Sequence, residues 1–172
     1  QQLYGVLVHS SRDETQCSEY GGGFFGYMVD ESVVQGTNFN VECVHRTLLK
    51  LADPDRGLRK TWPSTLHVQL DNTSKDNKNR GTFGYFAYLV ASGSFGKVVV
   101  SFLPVGHTHE DIDAVFGVIM RYLHRHRCLA TMETLMDAIW DSFFVSRRAE
   151  SSWKPSAELE HIKGTHDWNR WL

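Results

Sequence analysis

Between Phe102 and Gly117 the chain reads FLPVGHTHEDIDAVFG, which sets two histidines, a glutamate and two aspartates between an apolar run and the start of an amphipathic pattern. A second polar cluster, DNTSKDNKN from Asp71 to Asn79, follows directly on the apolar run TLHVQL. Both come at the C-terminal ends of expected strands, the edge at which open α/β sheets collect ligands. Carboxylates brought together there hold Mg²⁺ or Mn²⁺ through hard oxygen ligands and leave positions for water and phosphate. The chemistry that follows is two-metal phosphoryl transfer. Asp71-Asn72 also suits an ordinary turn after a strand, where both residue types hydrogen-bond the backbone.

Helical geometry sorts the second cluster. Ile112, Val115, Phe116, Ile119, Met120 and Leu123 make the buried stripe of a helix beginning near His109. At about 100° per residue, His109 and Asp113 then lie one turn apart on the same flank, near the buried face. Glu110 points outward and Asp111 lies on the other flank, both as ordinary first-turn acids that favour the helix dipole. His107 precedes the helix after a glycine, a place suited to a metal ligand, a contact to the helix N-terminus or a proton carrier.

The elements that must position these residues alternate between strands and helices. LYGVLVH (Leu3 to His9) and GGFFGYMVD (Gly22 to Asp30) are β-rich and separated by a polar loop, which predicts an antiparallel pair. A helix follows with Val41, Val44, Leu48 and Leu51 on one face, Thr37 or Asn38 as its N-cap and Asp53-Pro54 at its end. The next strand runs from Thr65 to Leu70, and GTFGYFAYLVASG reads as a short buried helix stopped at Gly93. KVVVSFL (Lys97 to Leu103) is the most continuous β-branched run and predicts a central strand buried on both faces. A final helix spans about Thr131 to Val145, carrying Leu135, Ile139 and Phe143. The expected division is a core over residues 1–148 and a polar, tryptophan-bearing tail or extension over 149–172.

The 172 residues, 41% of them hydrophobic, are enough to bury one sizeable core. A net charge of −2 gives no global attraction for polyanions, so any nucleic acid has to be held by local basic groups or by further domains. Cys17, Cys43 and Cys128 are far apart and form no C-x-x-C pair, which argues against a disulfide framework or a zinc knuckle and fits a reducing compartment. No run reaches the length of a membrane span, and QQLYGVLVHS lacks a signal-peptide pattern. The expectation is an intracellular protein, nuclear or cytoplasmic, with no membrane partner. Because the chain opens directly on a strand-like run, it reads as a piece of a longer protein.

Three known metal-site patterns compete for the histidine cluster. HTHEDI (His107 to Ile112) resembles the H-x-H-x-D-H motif of metallo-β-lactamase-like hydrolases, but Ile112 stands where the last histidine is needed. Gly106-His107-Thr108-His109 resembles the closing motif of calcineurin-like phosphoesterases, whose upstream D-x-H and G-N-H-[DE] partners do not occur in this chain. The third pattern spans about Leu3 to Leu123. The order strand, strand, helix, strand with Asp71, helix, strand, helix with Asp113 resembles the ribonuclease-H-like core of DDE transposases and integrases. More narrowly, LDNTSKDNKN and FLPVGHTHEDIDAVFG are similar to an uncharacterised, transposon-derived domain family of that superfamily, which carries D-x-x-x-x-[QD]-N-[KR]-N, then G-H-[ST], then an aspartate before F-G. The matching residues are Asp71, Asp76, Asn77, Lys78 and Asn79, followed by Gly106, His107, Thr108, Asp113, Phe116 and Gly117.

This resemblance implies a ribonuclease-H-like mixed sheet flanked by helices, and three acids holding Mg²⁺ or Mn²⁺ for cleavage and joining of DNA strands. Asp71 would be the second acid and Asp113 the third. If LYGVLVH is the second strand of that fold, the first strand and its aspartate lie before Gln1, and the chain alone is inactive. His107 would add a ligand or carry a proton. Lys78 would contact a phosphate, Asn77 and Asn79 would hold the loop that presents Asp71, and Arg121 and Arg125 in RYLHRHR would add phosphate contacts. A homo-oligomer is compatible with this reading. The alternatives are a catalytically inactive transposase-derived module that binds DNA or protein, and a metallophosphoesterase using His107 and His109.

Overall fold

The computed structural model of the protein describes residues 2–9, 23–34, 36–56, 62–72, 77–103, 111–125, 129–145 and 156–171. They form an α/β protein whose strands fall into two sheets, one of three strands and one of two. The chain divides into two compact units, Gln1–Glu31 with Thr108–Lys163, and Ser32–His107 with Gly164–Leu172.

In the first unit, β1 (Gln2–Val8) runs antiparallel to β2 (Gly23–Val29), as the two β-rich runs predict, with Gly5 opposite Gly26. Strand β2 is buried along its whole length because its other edge pairs in parallel with β5 (Ser156–His161). The segment expected as a polar tail or extension supplies this strand, and the ladder continues through Ile162 N–H donating to the Met28 carbonyl at 2.9 Å. Phe24 and Met28 pack on Val115 and Ile119 of α3 (Asp111–Leu123) and on Ile139 of α4 (Met132–Val145). Helix α4 starts where Thr131 Oγ1 accepts the Thr134 N–H at 3.2 Å, a side-chain cap of the usual kind. Helix α3 buries a narrower stripe than its sequence predicts. Val115 and Ile119 are buried, whereas Met120 is 49% exposed, since a rotation of about 100° from Ile119 carries it off the packed face.

Gly5 is required by the Phe24 ring. A Cβ there would stand 2.6 Å from Phe24 Cε2 and 3.0 Å from Phe116 Cζ, two rings that meet edge to face at 5.9 Å. Phe24 is fully buried and has nowhere to retreat. Gly5→Ala should therefore cost about 1–3 kcal/mol through overpacking, read as a lower urea midpoint with an unchanged slope.

The second unit is built on a βαβ crossover. β3 (Thr65–Leu70) and β4 (Lys97–Phe102) are parallel, registered from Thr65 opposite Lys97 to Leu70 opposite Phe102, and joined by α2 (Arg80–Ala91). Leu66, Val68, Leu70, Val98 and Val100 pack on Val41, Tyr85, Phe86, Leu89, Phe95 and Trp168, which brings in α1 (Thr37–Ala52) and the short α5 (Trp168–Trp171). Helix α2 ends as predicted, with Gly93 at φ 75°.

Two expectations are corrected here. The N-cap of α1 is Gly36, at φ 131°, and no side chain caps the helix; glycine alone takes that conformation at little cost. Asn38 instead donates from Nδ2 to Asp167 Oδ1 at 3.3 Å. β4 is not buried on both faces: Lys97 and Ser101 are exposed, and among the described residues it pairs with β3 alone. Its β-branched run serves one packed face, where Val98 and Val100 meet the core.

Candidate functional site

Asp71 follows the last residue of β3 and is exposed at the C-terminal end of the parallel pair. Its Oδ1 accepts the Asn72 N–H at 2.6 Å, and its carbonyl accepts from Asn77 Nδ2 at 3.1 Å. Asn77 Oδ1 in turn accepts from Asn40 Nδ2 of α1 at 3.0 Å. Asn77 thus ties the end of β3 to α1. Asn79 caps α2, its Oδ1 accepting the Thr82 N–H at 3.0 Å. The two asparagines fix both ends of the turn that carries Lys78. Replacing Asn79 by alanine should cost about 1 kcal/mol and replacing it by serine much less, seen as a graded fall in melting temperature.

Lys78 is exposed, with Nζ 4.6 Å from the centroid of the Phe102 ring. Phe83, in the first turn of α2, meets Phe102 edge-on at 6.2 Å and remains 46% exposed. The second unit therefore gathers Asp71, Asn77, Lys78 and Asn79 at one sheet edge beside two aromatic rings. The sequence pattern contains both phenylalanines but does not distinguish an exposed aromatic from a core one.

In the first unit, Asp113 and Asp111 are both exposed in the first turn of α3. Asp113 does not sit near the buried face as the helical stripe predicts, because the stripe narrows to Val115 and Ile119. Asp111 Oδ2 lies 4.0 Å from His9 Nε2 at the end of β1. Arg121 is exposed in the last turn of α3 and Arg125 just beyond its end. His107, with the rest of the Gly106-His107-Thr108-His109 motif, Glu110 and Asp76, falls outside the described residues. Among the described residues no group of three or more His, Cys, Asp or Glu side chains is placed to hold a metal ion.

A second polar cluster was not expected from the sequence. Glu42 of α1 is fully buried, and its carboxylate accepts from Arg46 Nε at 2.7 Å, from Trp168 Nε1 at 2.9 Å and from the backbone N–H of His166 at 3.3 Å. His166 Nδ1 lies 2.8 Å from Glu42 Oε2. Burial acts to raise the Glu42 pKa, but the hydrogen bonds from His166, Arg46 and Trp168 together outweigh it and hold the carboxyl below its ordinary range. Beside it, His45 Nδ1 is 3.2 Å from the Tyr85 hydroxyl, and the His45 ring meets Trp168 at 4.8 Å. Burial lowers the His45 pKa against the opposing pull of Glu42, and raises that of Tyr85, so both stay neutral near pH 7. This cluster clamps the C-terminal segment onto α1. The Glu42–Arg46 pair has the spacing of a helix-surface ion pair; what the spacing hides is that its other partners come from the distant end of the chain.

No helix among the described residues is long and apolar enough to cross a membrane. No curated protein and no solved structure matches the chain. The DUF7869 family, described as a domain of unknown function, matches residues 1–172, and the chain belongs to that family.

Proposed function

We propose that this domain is the ribonuclease-H-like core of a transposon-derived DDE enzyme, acting on DNA inside the cell, with Asp71 and Asp113 as two of its three metal-holding acids. The observation that carries this reading is the βαβ crossover that delivers an exposed Asp71 at the C-terminal end of a parallel strand, on a loop fixed by Asn77. That is the edge where α/β sheets hold their ligands. Asp113 adds a second exposed carboxylate, in the first turn of α3. The donors are hard oxygens, which suits Mg²⁺ or Mn²⁺. Two such ions, when bound, supply activation of an attacking water or 3′-hydroxyl and charge stabilisation at the leaving oxygen.

The chain's own residues divide the remaining work. Asn77 and Asn79 hold the loop of Asp71, while Lys78, Arg121 and Arg125 are cations for the phosphates of the DNA backbone. His107 serves as an added ligand or proton carrier. The third acid of the set is none of the residues named above.

The test is a DNA nicking and joining assay on the N-terminally extended protein with Mg²⁺ or Mn²⁺ and with chelator. The expected result is cleavage or joining only with the metal. Cleavage that persists undiminished in chelator overturns the metal reading, and DNA binding without any cleavage transfers the domain to the binding-module class.

A further inference from the structure

The ring pair beside Asp71 has no place in the metal chemistry. Phe102 is the strand residue opposite Leu70, immediately before Asp71. It lies under the Lys78 ammonium at 4.6 Å and against the edge of Phe83 at 6.2 Å. Phe83 is nearly half exposed although it sits on a helix whose next turn buries Tyr85, Phe86 and Leu89 in the core. A large apolar ring left in water, sharing Phe102 with a lysine and three residues along its helix from an exposed Arg80, is the combination that binds unpaired nucleotides. The ring supplies a surface on which a base stacks, and the cations meet the flanking phosphates. The polar and charged neighbours make the patch a poor seat for an apolar partner.

We infer that Phe83, Phe102 and Lys78 form a stacking subsite for an unpaired DNA base next to Asp71. It rests on the nucleic-acid reading above and sharpens it, because the domain then engages single-stranded or locally opened DNA at the site of chemistry. Lys78, held over Phe102 and placed by the turn between Asn77 and Asn79, takes the phosphate on one side of the stacked base. Phe83 presents its exposed face to the base.

Fluorescence anisotropy with a labelled single-stranded oligonucleotide, in chelator so that no cleavage occurs, tests this on the full chain. Phe83→Leu should weaken binding about tenfold, within the range for loss of one base–aromatic stack, while Phe83→Tyr should bind like the parent. Lys78→Gln should weaken binding and reduce the slope of log K against log salt by about 0.7, the value for one single-strand phosphate contact. Circular dichroism melts confirm that each variant is folded; Phe83→Tyr and Lys78→Gln change exposed groups and keep the fold. Parent-like binding by both Phe83→Leu and Lys78→Gln overturns the subsite and leaves the DNA reading standing. Absence of any DNA binding by the parent overturns both.

Discussion

Asp71→Ala in the N-terminally extended protein should lower metal-dependent DNA cleavage by at least about 10³-fold, and Asp113→Ala should do the same. Loss of a carboxylate that holds a divalent ion removes several kcal/mol of transition-state stabilisation, and each 1.4 kcal/mol is tenfold in rate. The effect should appear in the rate and not in folding. Asp71 is exposed, and its carboxylate receives one described hydrogen bond, from the next residue's N–H; the loop is held through its carbonyl, which alanine keeps. Asp113 is likewise exposed on the surface of α3. Asp111→Ala is the control, since an exposed first-turn acid that favours the helix dipole and stands 4.0 Å from an exposed His9 contributes less than about 1 kcal/mol to stability and nothing to the chemistry. Undiminished cleavage by both variants would remove Asp71 and Asp113 from the site.

The largest effect on stability should come from Glu42. Glu42→Ala removes the acceptor for Arg46, Trp168 and the His166 backbone and leaves the indole N–H of a nearly buried Trp168 without its partner. Stranding buried donors around a deleted carboxylate costs about 2–4 kcal/mol. Hydrogen exchange of residues 164–171 should rise along with the loss of global stability, because that segment is held by the same carboxylate.

The clamp also gives the protein an acid-sensitive step. Glu42 has a lower pKa folded than unfolded, so the unfolded chain takes up the proton first, and folding is favoured most when the carboxyl is ionised. Its contribution is present above the ordinary carboxylate value of 4.5 and is lost as pH falls through the folded value below that. His45 is likewise depressed, by burial, so its part of the loss begins as pH drops below 6.5. Urea midpoints measured from pH 7 to pH 3 should therefore fall in two stages in the parent. Glu42→Ala should flatten the lower stage and His45→Phe the upper. A parent curve that stays level down to pH 3 would exclude this role for both groups.

The local elements were legible because their signals are local. The parallel strand Thr65–Leu70 is a short apolar run bounded by Ser64 and Asp71, and α2 and α4 carry a helical period together with a cap or a closing glycine. The end of β3 therefore places Asp71 at a sheet edge without reference to any tertiary contact. β5 gave no such signal. SAELEH is a polar hexamer, and it becomes a strand because β2, apolar on both faces, needs a partner along its second edge.

What the linear sequence determined about this protein is its α/β class, most of its strands and helices, and the place of Asp71 at the end of a strand, since each follows from the period and punctuation of a few neighbouring residues. The tertiary structure decided which strands share a sheet, that Met120 faces solvent, that Phe83 is an exposed ring set against the Phe102 that Lys78 covers, and that Glu42 is a buried clamp. These depend on partners far along the chain, such as His166 and Trp168 for Glu42. Burial is set by what covers a side chain, and a residue's own type and spacing cannot report that.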